Sequence, residues 1–273
     1  MRHRPGIALA LGGGAGLGWA HIGVLRALEE AGIPVRAAAG TSIGALAAVC
    51  LGAHRLDVLE GFARGANLRM VLRFLDPHWK KGAVLGGREI ARQLDLHLGH
   101  IRFQDLHVPV AAVAADLLSG DTVIIDSGPV AEAVRASMAL PGIFHPVLLG
   151  ERLLIDGGVS MPVPVAAARQ LSPGLPVVAV NLLGDYHGRA AALRRTWFER
   201  QALSTFGIVR AATALMTASL TRQSLTTDPP DLQLDLRVGH IEAGNFTRAA
   251  ELIAIGRAAV TDALPEIRAL YSA

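Results

Sequence analysis

The chain has 273 residues, enough for one large domain or two small ones with a well-buried core. It is 51% hydrophobic but only 4% aromatic and contains 30 glycines, so small aliphatic residues supply most of the packing, as α/β folds allow. A net charge of +3 without a run of like charges gives no argument for nucleic-acid binding, and the single cysteine, Cys50, excludes an internal disulfide bond.

The hydrophobic segments of the chain are short. The first, residues 7–11, is too short for the core of a signal peptide. The longest stretch free of both charged residues and histidine, residues 37–53, falls short of the roughly 20 residues that span a bilayer. We therefore expect a cytoplasmic protein that can contact the inner membrane surface peripherally. It can also associate with a second copy of itself, and we expect no binding to nucleic acid.

The first predicted elements form a βαβ unit. Residues 7–11 are a buried strand, and residues 19–31 have the apolar spacing of an amphipathic helix that ends at Gly32. Residues 34–39 predict a second strand, and residues 43–51 a helix of small residues that is buried on most sides.

The remaining elements continue the alternation of strands and helices. We expect helical structure over residues 54–100, interrupted by a loop at 76–82, with a helix at 88–98. Further strands are predicted at 108–113, 122–125, 152–155, 175–183 and 232–236, and further helices at 130–139 and 246–264. This order predicts one α/β layered domain over residues 1–273 with a mainly parallel sheet.

A basic helical segment covers about residues 188–227, where arginines alternate with large apolar residues. Such a stretch can contact a membrane, a partner subunit or the chain's own core. Packing against the core or a second subunit is the interpretation that we favour from the sequence.

The sequence Gly40-Thr41-Ser42-Ile43-Gly44 matches G-x-S-x-G, the turn that presents a nucleophilic serine between a strand and a helix. The flanking glycines matter because they let the two elements approach each other without clashes of Cβ atoms. The predicted strand before Ser42 and helix after it provide the required context. Ser42 is also an acceptable helix N-cap, which is the competing interpretation.

The glycine cluster at residues 12–18 precedes the first helix. A dinucleotide-binding loop needs a third glycine where Leu17 stands and an acidic residue after the second strand, and a P-loop needs a lysine that is absent. Backbone N–H groups of Gly12, Gly13 and Gly14 at a helix N-terminus can instead form an oxyanion hole. Only this interpretation explains the cluster and the serine turn together.

A serine needs a base to take its proton, and the sequence offers several candidates. His187 and His240 follow in the chain, but neither lies in a motif that places it beside Ser42. Asp156, in the turn Asp156-Gly157-Gly158 at a predicted strand end, could reach the serine directly, although an Asx turn is its structural alternative. Asp116 and Asp126 are rivals, the first before a turn and the second at the expected cap of a helix.

These motifs, in this order, resemble those of the patatin-like phospholipases, and most closely their short bacterial members related to the catalytic domain of neuropathy target esterase. The similarity extends to three further stretches and covers roughly residues 6–264. These stretches are residues 19–25, residues 136–142 and residues 156–164.

The resemblance implies a three-layer patatin-like α/β hydrolase fold and a serine esterase of lipid metabolism. It implies a dyad in which Ser42 attacks an ester and Asp156 is the base, with Gly40, Gly44, Gly157 and Gly158 supporting the two turns. No cofactor and no metal are implied, calcium included. The family usually has arginine or lysine before the last glycine of the loop, and Leu17 at that position favours neutral or lyso-esters as substrates.

Two other functions remain open at this point. A catalytically weak regulatory or adaptor protein that keeps the fold is motivated by Leu17 and the basic segment. A nucleotide-binding protein is the third alternative, weakened by the missing acidic residue and lysine.

Overall fold

The structure is a computed structural model that describes residues 6–66, 77–80, 83–85, 88–200 and 205–272. Within this part of the chain there are ten strands: β1 (Ile7–Leu11), β2 (Val35–Thr41), β3 (Pro77–Lys80), β4 (Ala83–Leu85), β5 (Val110–Asp116), β6 (Thr122–Ile125), β7 (Val147–Leu149), β8 (Arg152–Asp156), β9 (Val177–Asn181) and β10 (Leu232–Asp235). The α-helices of the same part are α1 (Trp19–Glu30), α2 (Ile43–Gly52), α3 (Leu56–Gly65), α4 (Arg88–Leu98), α5 (Val130–Ser137), α6 (Val165–Leu171), α7 (Tyr186–Arg200), α8 (Thr205–Thr227), α9 (Ala249–Asp262) and α10 (Leu264–Ser272).

One mixed sheet of eight strands organises the fold. Its order is β10-β9-β1-β2-β5-β8-β7, and β6 also pairs with β5. The strands from β10 to β5 are parallel, whereas β6, β7 and β8 add an antiparallel end. The predicted α/β fold with a mainly parallel sheet is confirmed, and the antiparallel end carries Asp156.

Helices cover both faces of the sheet, and β1 shows how its sequence serves the two layers. Ile7, Leu9 and Leu11 join the larger core beneath α1, α2 and α9, while Ala8 and Ala10 join a smaller core beneath α6. Both sets are fully buried because a central parallel strand is covered on both sides. Alanine on the α6 side allows that helix to approach closely.

Helices α1 and α9 pack backbone to backbone. A Cβ atom added to Gly23 would lie 1.9 Å from the carbonyl oxygen of Ile253, and one added to Gly256 would lie 2.0 Å from that of Ala20. Each glycine therefore opens the space that the facing helix occupies.

The element boundaries correct the sequence analysis in three places. The loop expected at residues 76–82 contains strand β3, and its partner β4 lies where helical structure was expected; residues 67–76, 81–82 and 86–87 of these predictions lie outside the described residues. β3 (Pro-His-Trp-Lys) has no apolar run and β7 has three residues, so neither was predicted. The helix expected at residues 246–264 begins at Ala249 and gives way to a second helix at Leu264. Pro265 explains the break, because it cannot donate a hydrogen bond to the preceding turn.

The described residues of the basic segment are helical, but few of their described side chains are buried. No described side chain of residues 186–198 or 208–217 is buried, and burial begins with Ala218 and continues at Thr221 and Leu225. This exposure contradicts packing against the chain's own core for α7 and the first half of α8, whereas packing against a second subunit, the other part of that interpretation, stays a prediction. Across the described residues, no helix combines the length and hydropathy that crossing a bilayer requires.

Candidate active site

Ser42 lies alone between β2, which ends at Thr41, and α2, which begins at Ile43. Its backbone has φ 56° and ψ −123°, a region that a residue with a side chain rarely adopts. Such a conformation costs about 1–3 kcal/mol and persists only where the surroundings enforce it. The serine turn is thus the strained strand-to-helix turn that G-x-S-x-G predicts.

The glycines of this motif are required by close contacts. A Cβ atom on Gly40 would lie 2.2 Å from the carbonyl oxygen of Gly44, and one on Gly44 would lie 2.1 Å from that of Leu11. The first contact closes the turn between β2 and α2. The second brings the N-terminus of α2 against the end of β1, where the glycine loop starts.

The register of the sheet brings Asp156 to Ser42. Thr41 pairs with Val113 of β5, and Asp156 pairs with Ala114, the next residue of that strand. Because β6 occupies one edge of β5 along residues 112–115, β2 and β8 share its other edge. The carboxyl ends of β2 and β8 therefore meet on this edge of β5, which places Ser42, the residue after Thr41, next to Asp156. Gly157 is required here because a Cβ atom on it would lie 2.3 Å from the carbonyl oxygen of Val113.

The Asp156 carboxyl group is 3% exposed and accepts a hydrogen bond of 2.8 Å from the backbone N–H of Gly158. Burial raises the pKa of Asp156 to about 6, against the opposing effect of hydrogen bonds from the Ser42 side chain and from Gly158. The hydroxyl of Ser42 therefore faces a carboxylate whose proton affinity exceeds that of an ordinary aspartate, as a general base near neutral pH requires.

The glycine loop needs a correction at two of its three predicted donors. The N–H of Gly12 donates to Val180 and that of Gly13 to Pro162, so both are used by the fold. Within the described part of the chain, the N–H groups of Gly14 and Ala15 have no protein acceptor. The available donors are therefore Gly14 and Ala15 in place of Gly12, Gly13 and Gly14. The pairing of β1 with β9 extends to the N–H of Gly12, and the carbonyl of Pro162 takes the N–H of Gly13.

The loop is strained at the same place. Ala15 has φ 49°, and only Ala15, Ser42 and His54 combine a side chain with a positive φ among the described residues. Two of these three residues, Ala15 and Ser42, line one cavity. Strain concentrated at a single cavity is typical of a functional site.

The sequence analysis missed two buried polar residues that hold these loops. Ser137 accepts a hydrogen bond of 2.8 Å from the Ser42 N–H and donates its hydroxyl proton to Val113 at 2.6 Å. The ring of His21 is fully buried and its Nε2 lies 2.7 Å from the carbonyl oxygen of Gly12; burial lowers its pKa to about 4, so it donates there as neutral imidazole. Both residues lie in stretches that carried the family resemblance, which was the available signal.

An apolar cavity of about 190 Å³ begins at Ser42. It follows one face of α2, where Ser42, Leu46 and Cys50 are spaced by four residues, and its other walls include Trp19 and Phe62. Neither lysine nor arginine is among the described residues that line it. The shape and chemistry suit a hydrocarbon chain attached to a group that reacts at Ser42.

The other candidate bases lie elsewhere. The Asp116 carboxylate accepts from the N–H of Leu118 in the expected turn, and His240 pairs with Glu251 at 2.9 Å. Pro129, and not Asp126, occupies the N-cap of α5. His187 lies in the first turn of α7 and is exposed.

Two further observations bear on the predicted chemistry. Leu17 is 4% exposed and belongs to the larger core, so its side chain replaces the family's usual basic residue with a packing contact. Among the described residues, no three histidine, cysteine, aspartate or glutamate side chains are grouped to hold a metal ion.

Comparison with known proteins identifies the family. The sequence model described as patatin-like phospholipase matches residues 9–169, more than half of the chain and a range that contains both turns. The chain belongs to the patatin-like phospholipase family. An uncharacterized NTE family protein of Mycobacterium tuberculosis is 37% identical to this patatin-like chain over 218 residues, 78% of the chain and 60% of that relative.

More distant members show the same relationship. Neuropathy target esterase sws of Drosophila melanogaster is 33% identical over 182 residues, 64% of this chain and 13% of the esterase. The crystal structure of VipD from Legionella pneumophila matches 96% of this chain and 67% of VipD with a TM-score of 0.55 at 14% identity, which supports the fold alone. The chain spans 60% of the length of its mycobacterial relative, so the match covers part of that protein.

Proposed function

We propose that this patatin-like protein is a serine hydrolase of lipid acyl esters. The observation that carries the proposal is the pairing of strained Ser42 with buried Asp156 at one end of an apolar cavity. A strained residue, a carboxyl group of raised pKa or an apolar cavity also occurs singly in proteins that catalyse no reaction. The occurrence of all three features around Ser42 favours acyl transfer as the reaction.

In the acylation step, the Ser42 hydroxyl oxygen attacks the ester carbonyl carbon while its proton passes to Asp156. Negative charge develops on the carbonyl oxygen, and the N–H groups of Gly14 and Ala15 are the donors placed to meet it. A donor of this kind typically lowers the barrier by about 3 kcal/mol. The carbon–oxygen bond then breaks, and the leaving alcohol takes the proton from Asp156.

In the deacylation step, Asp156 accepts a proton from water, whose oxygen attacks the acyl carbon bound to Ser42. The tetrahedral intermediate collapses, the fatty acid leaves, and the proton returns to Ser42. One carboxyl group serves both steps. Asp156 takes up a proton when Ser42 or water attacks, and it gives that proton up when the alcohol or the Ser42 oxygen leaves. No metal ion or cofactor takes part in this scheme.

The cavity supports a lysophospholipase, a phospholipase A or a carboxylesterase, and it favours substrates with little negative charge near the ester. Its described lining contains no cationic side chain to pair with a phosphate, and Leu17 is buried where relatives usually have a basic residue. Neutral esters and lysolipids therefore rank before two-chain phospholipids. The names of the relatives, phospholipase and esterase, support the same reaction class.

A serine-directed fluorophosphonate probe tests the proposal. We expect it to label the wild-type protein, to fail on Ser42→Ala, and to react at least 10³-fold more slowly with Asp156→Asn, since a base missing from such a unit costs this much or more. Hydrolysis of p-nitrophenyl esters and of a lysophospholipid should fall in parallel.

Ser127→Ala is the matched control, because Ser127 is an exposed loop serine outside the cavity. Labelling that persists in Ser42→Ala would refute the proposal. If wild-type protein takes neither probe nor ester, the adaptor alternative replaces it.

A further inference from the structure

The positive charge of the chain is concentrated in one segment. Residues 186–200, which form α7, and residues 205–217 of α8 are here called the helical arm. They contain five arginines and one glutamate, a net charge of +4. The rest of the chain has 21 basic and 22 acidic residues, a net charge of −1. The basic character of the whole protein is therefore a property of the arm.

The helical arm also holds most of the exposed hydrophobic surface. Of twelve large hydrophobic side chains that are exposed in the described part of the chain, seven belong to it. The largest are Trp197, 51% exposed, Phe198, 70% exposed, and Met216, 72% exposed. Exposed apolar side chains at this density, among arginines, mark an interaction surface.

The arm leaves the fold at the carboxyl ends of the parallel strands, where Ser42 also lies. Helix α7 starts after the carboxyl end of β9, and the Tyr186 hydroxyl donates to the carbonyl of Ala218 at 2.6 Å, which fixes that point of α8 at these strand ends. From there α8 runs toward the amino ends of the parallel strands. Soon after α8 ends, the carboxylate of Asp231 accepts a hydrogen bond from the N–H of Val177, the first residue of β9. The 13 residues of α8 before Ala218 therefore extend about 20 Å beyond the carboxyl ends of the parallel strands.

We propose that the helical arm docks this protein on an anionic lipid surface. Arginine with tryptophan, phenylalanine and aliphatic side chains is the composition of helices that lie in a membrane interface, with the cations at the headgroups and the apolar groups below them. Helices of this kind lie along the membrane surface, so we expect both helices of the arm to run parallel to it. Docking of the arm on the membrane brings the carboxyl ends of the strands, and with them Ser42, toward the lipid.

A second copy of the chain is a poorer occupant of this surface. Most oligomers of identical chains use the same patch on both subunits, which would bring two surfaces of net charge +4 together. An anionic bilayer removes this repulsion and takes up the exposed aromatic side chains at the same time.

Co-sedimentation with vesicles tests the docking, using Ser42→Ala protein so that binding is measured without hydrolysis. We expect retention on vesicles of 30% phosphatidylglycerol in phosphatidylcholine, little on pure phosphatidylcholine, and release by 0.5 M salt because surface electrostatics are screened. Arg194→Glu with Arg195→Glu should lower the partition coefficient at least tenfold. Trp197→Ser with Phe198→Ser should lower it without changing the net charge.

The matched control is Arg55→Glu with Arg102→Glu, which changes the charge equally at exposed residues outside the arm and should lower binding less than twofold. An equal loss in both charge variants, or no retention of the parent protein, overturns the proposal. Arm-dependent dimers in light scattering without vesicle retention overturn it in favour of a second copy. The arm variants, made in protein with Ser42 intact, should hydrolyse a short soluble ester at the parental rate, which separates this proposal from that of the catalytic site.

Discussion

Asp156 has to satisfy two opposed demands. As the proposed base it must be ionised, yet it is almost completely buried, and burial raises its pKa to about 6. The hydrogen bonds from Gly158 and Ser42 stabilise the ionised form and limit the rise. The residue therefore gains proton affinity while remaining largely deprotonated at neutral pH.

The pH dependence of ester hydrolysis follows from this pKa. The carboxylate is the active form, so kcat/KM for a neutral p-nitrophenyl ester should rise about tenfold per pH unit below pH 6 and level off above it. The measurement is a pH–rate profile between pH 4 and 8. An inflection near 4, the ordinary value for aspartate, would contradict a buried base.

The same shift predicts a gain in stability when the charge is removed. The carboxyl ionises near 3.8 when exposed and near 6 when folded, so its ionisation favours unfolding increasingly between these pH values and constantly above them, by about 3 kcal/mol. Asp156→Asn should therefore raise the free energy of unfolding at pH 8 but not at pH 3.5, since its amide oxygen can still accept from Gly158. Urea titrations at both pH values measure this.

Asp126→Asn is the control for this substitution, because Asp126 is exposed. It should change the free energy of unfolding by less than about 0.5 kcal/mol at either pH. A loss of stability in Asp156→Asn at pH 8 would show that the ionised carboxylate stabilises the fold.

At the scale of elements, glycine determines how closely helices and strands approach. Gly40, Gly44 and Gly157 bring the serine turn and the aspartate turn against neighbouring backbone, and Gly23 and Gly256 do the same for α1 and α9. By contrast, Gly61 in α3 has open space where a Cβ atom would be.

These contacts predict opposite effects of one substitution. Gly23→Ala should lower the free energy of unfolding by about 3 kcal/mol, because the added methyl group meets the backbone of α9 and forces it away. Gly61→Ala should raise it by about 0.5–1 kcal/mol, because alanine favours the helix and nothing obstructs it. Urea unfolding of both variants is the measurement, and equal effects would contradict the close approach of α1 and α9.

At the scale of the whole molecule, the cavity arises from elements that are far apart in the chain. α2 supplies one wall, α3 and α4 others, and Phe246 closes a part near Trp19. Cys50 lies two turns along α2 from Ser42, about 12 Å of helix. Its thiol is buried, which raises its pKa to about 12 and keeps it neutral, so it acts as an apolar wall.

Cys50→Phe should therefore shorten the acyl chain that the proposed enzyme accepts. A phenyl group at this distance fills the far end of the cavity, so rates on a butyrate ester should stay within twofold while those on a dodecanoate ester fall at least tenfold. Cys50→Ala is the matched control and should leave the chain-length preference unchanged. Parallel losses on both esters would place the hydrocarbon chain elsewhere.

The alternation of strands and helices, the serine turn and the position of Asp156 in a glycine turn were predictable from local sequence patterns. These features are local: apolar spacing follows the period of the element, and glycine stands where the backbone bends or is crowded. Two strands escaped detection because β3 (Pro-His-Trp-Lys) has no apolar run and β7 has only three residues.

Which side chains and backbone groups contact each other depends on how distant segments pack together. β8 had to pair antiparallel with β5 for Asp156 to reach Ser42, and the pairing of β1 with β9 had to extend to Gly12 for that N–H to be used. Ser137 became a partner of the serine turn only because α5 packs against β5, and the exposure of the helical arm depends on what the core leaves uncovered. Hydrogen-bond partners and burial are set by contacts between distant segments, which a local pattern does not encode.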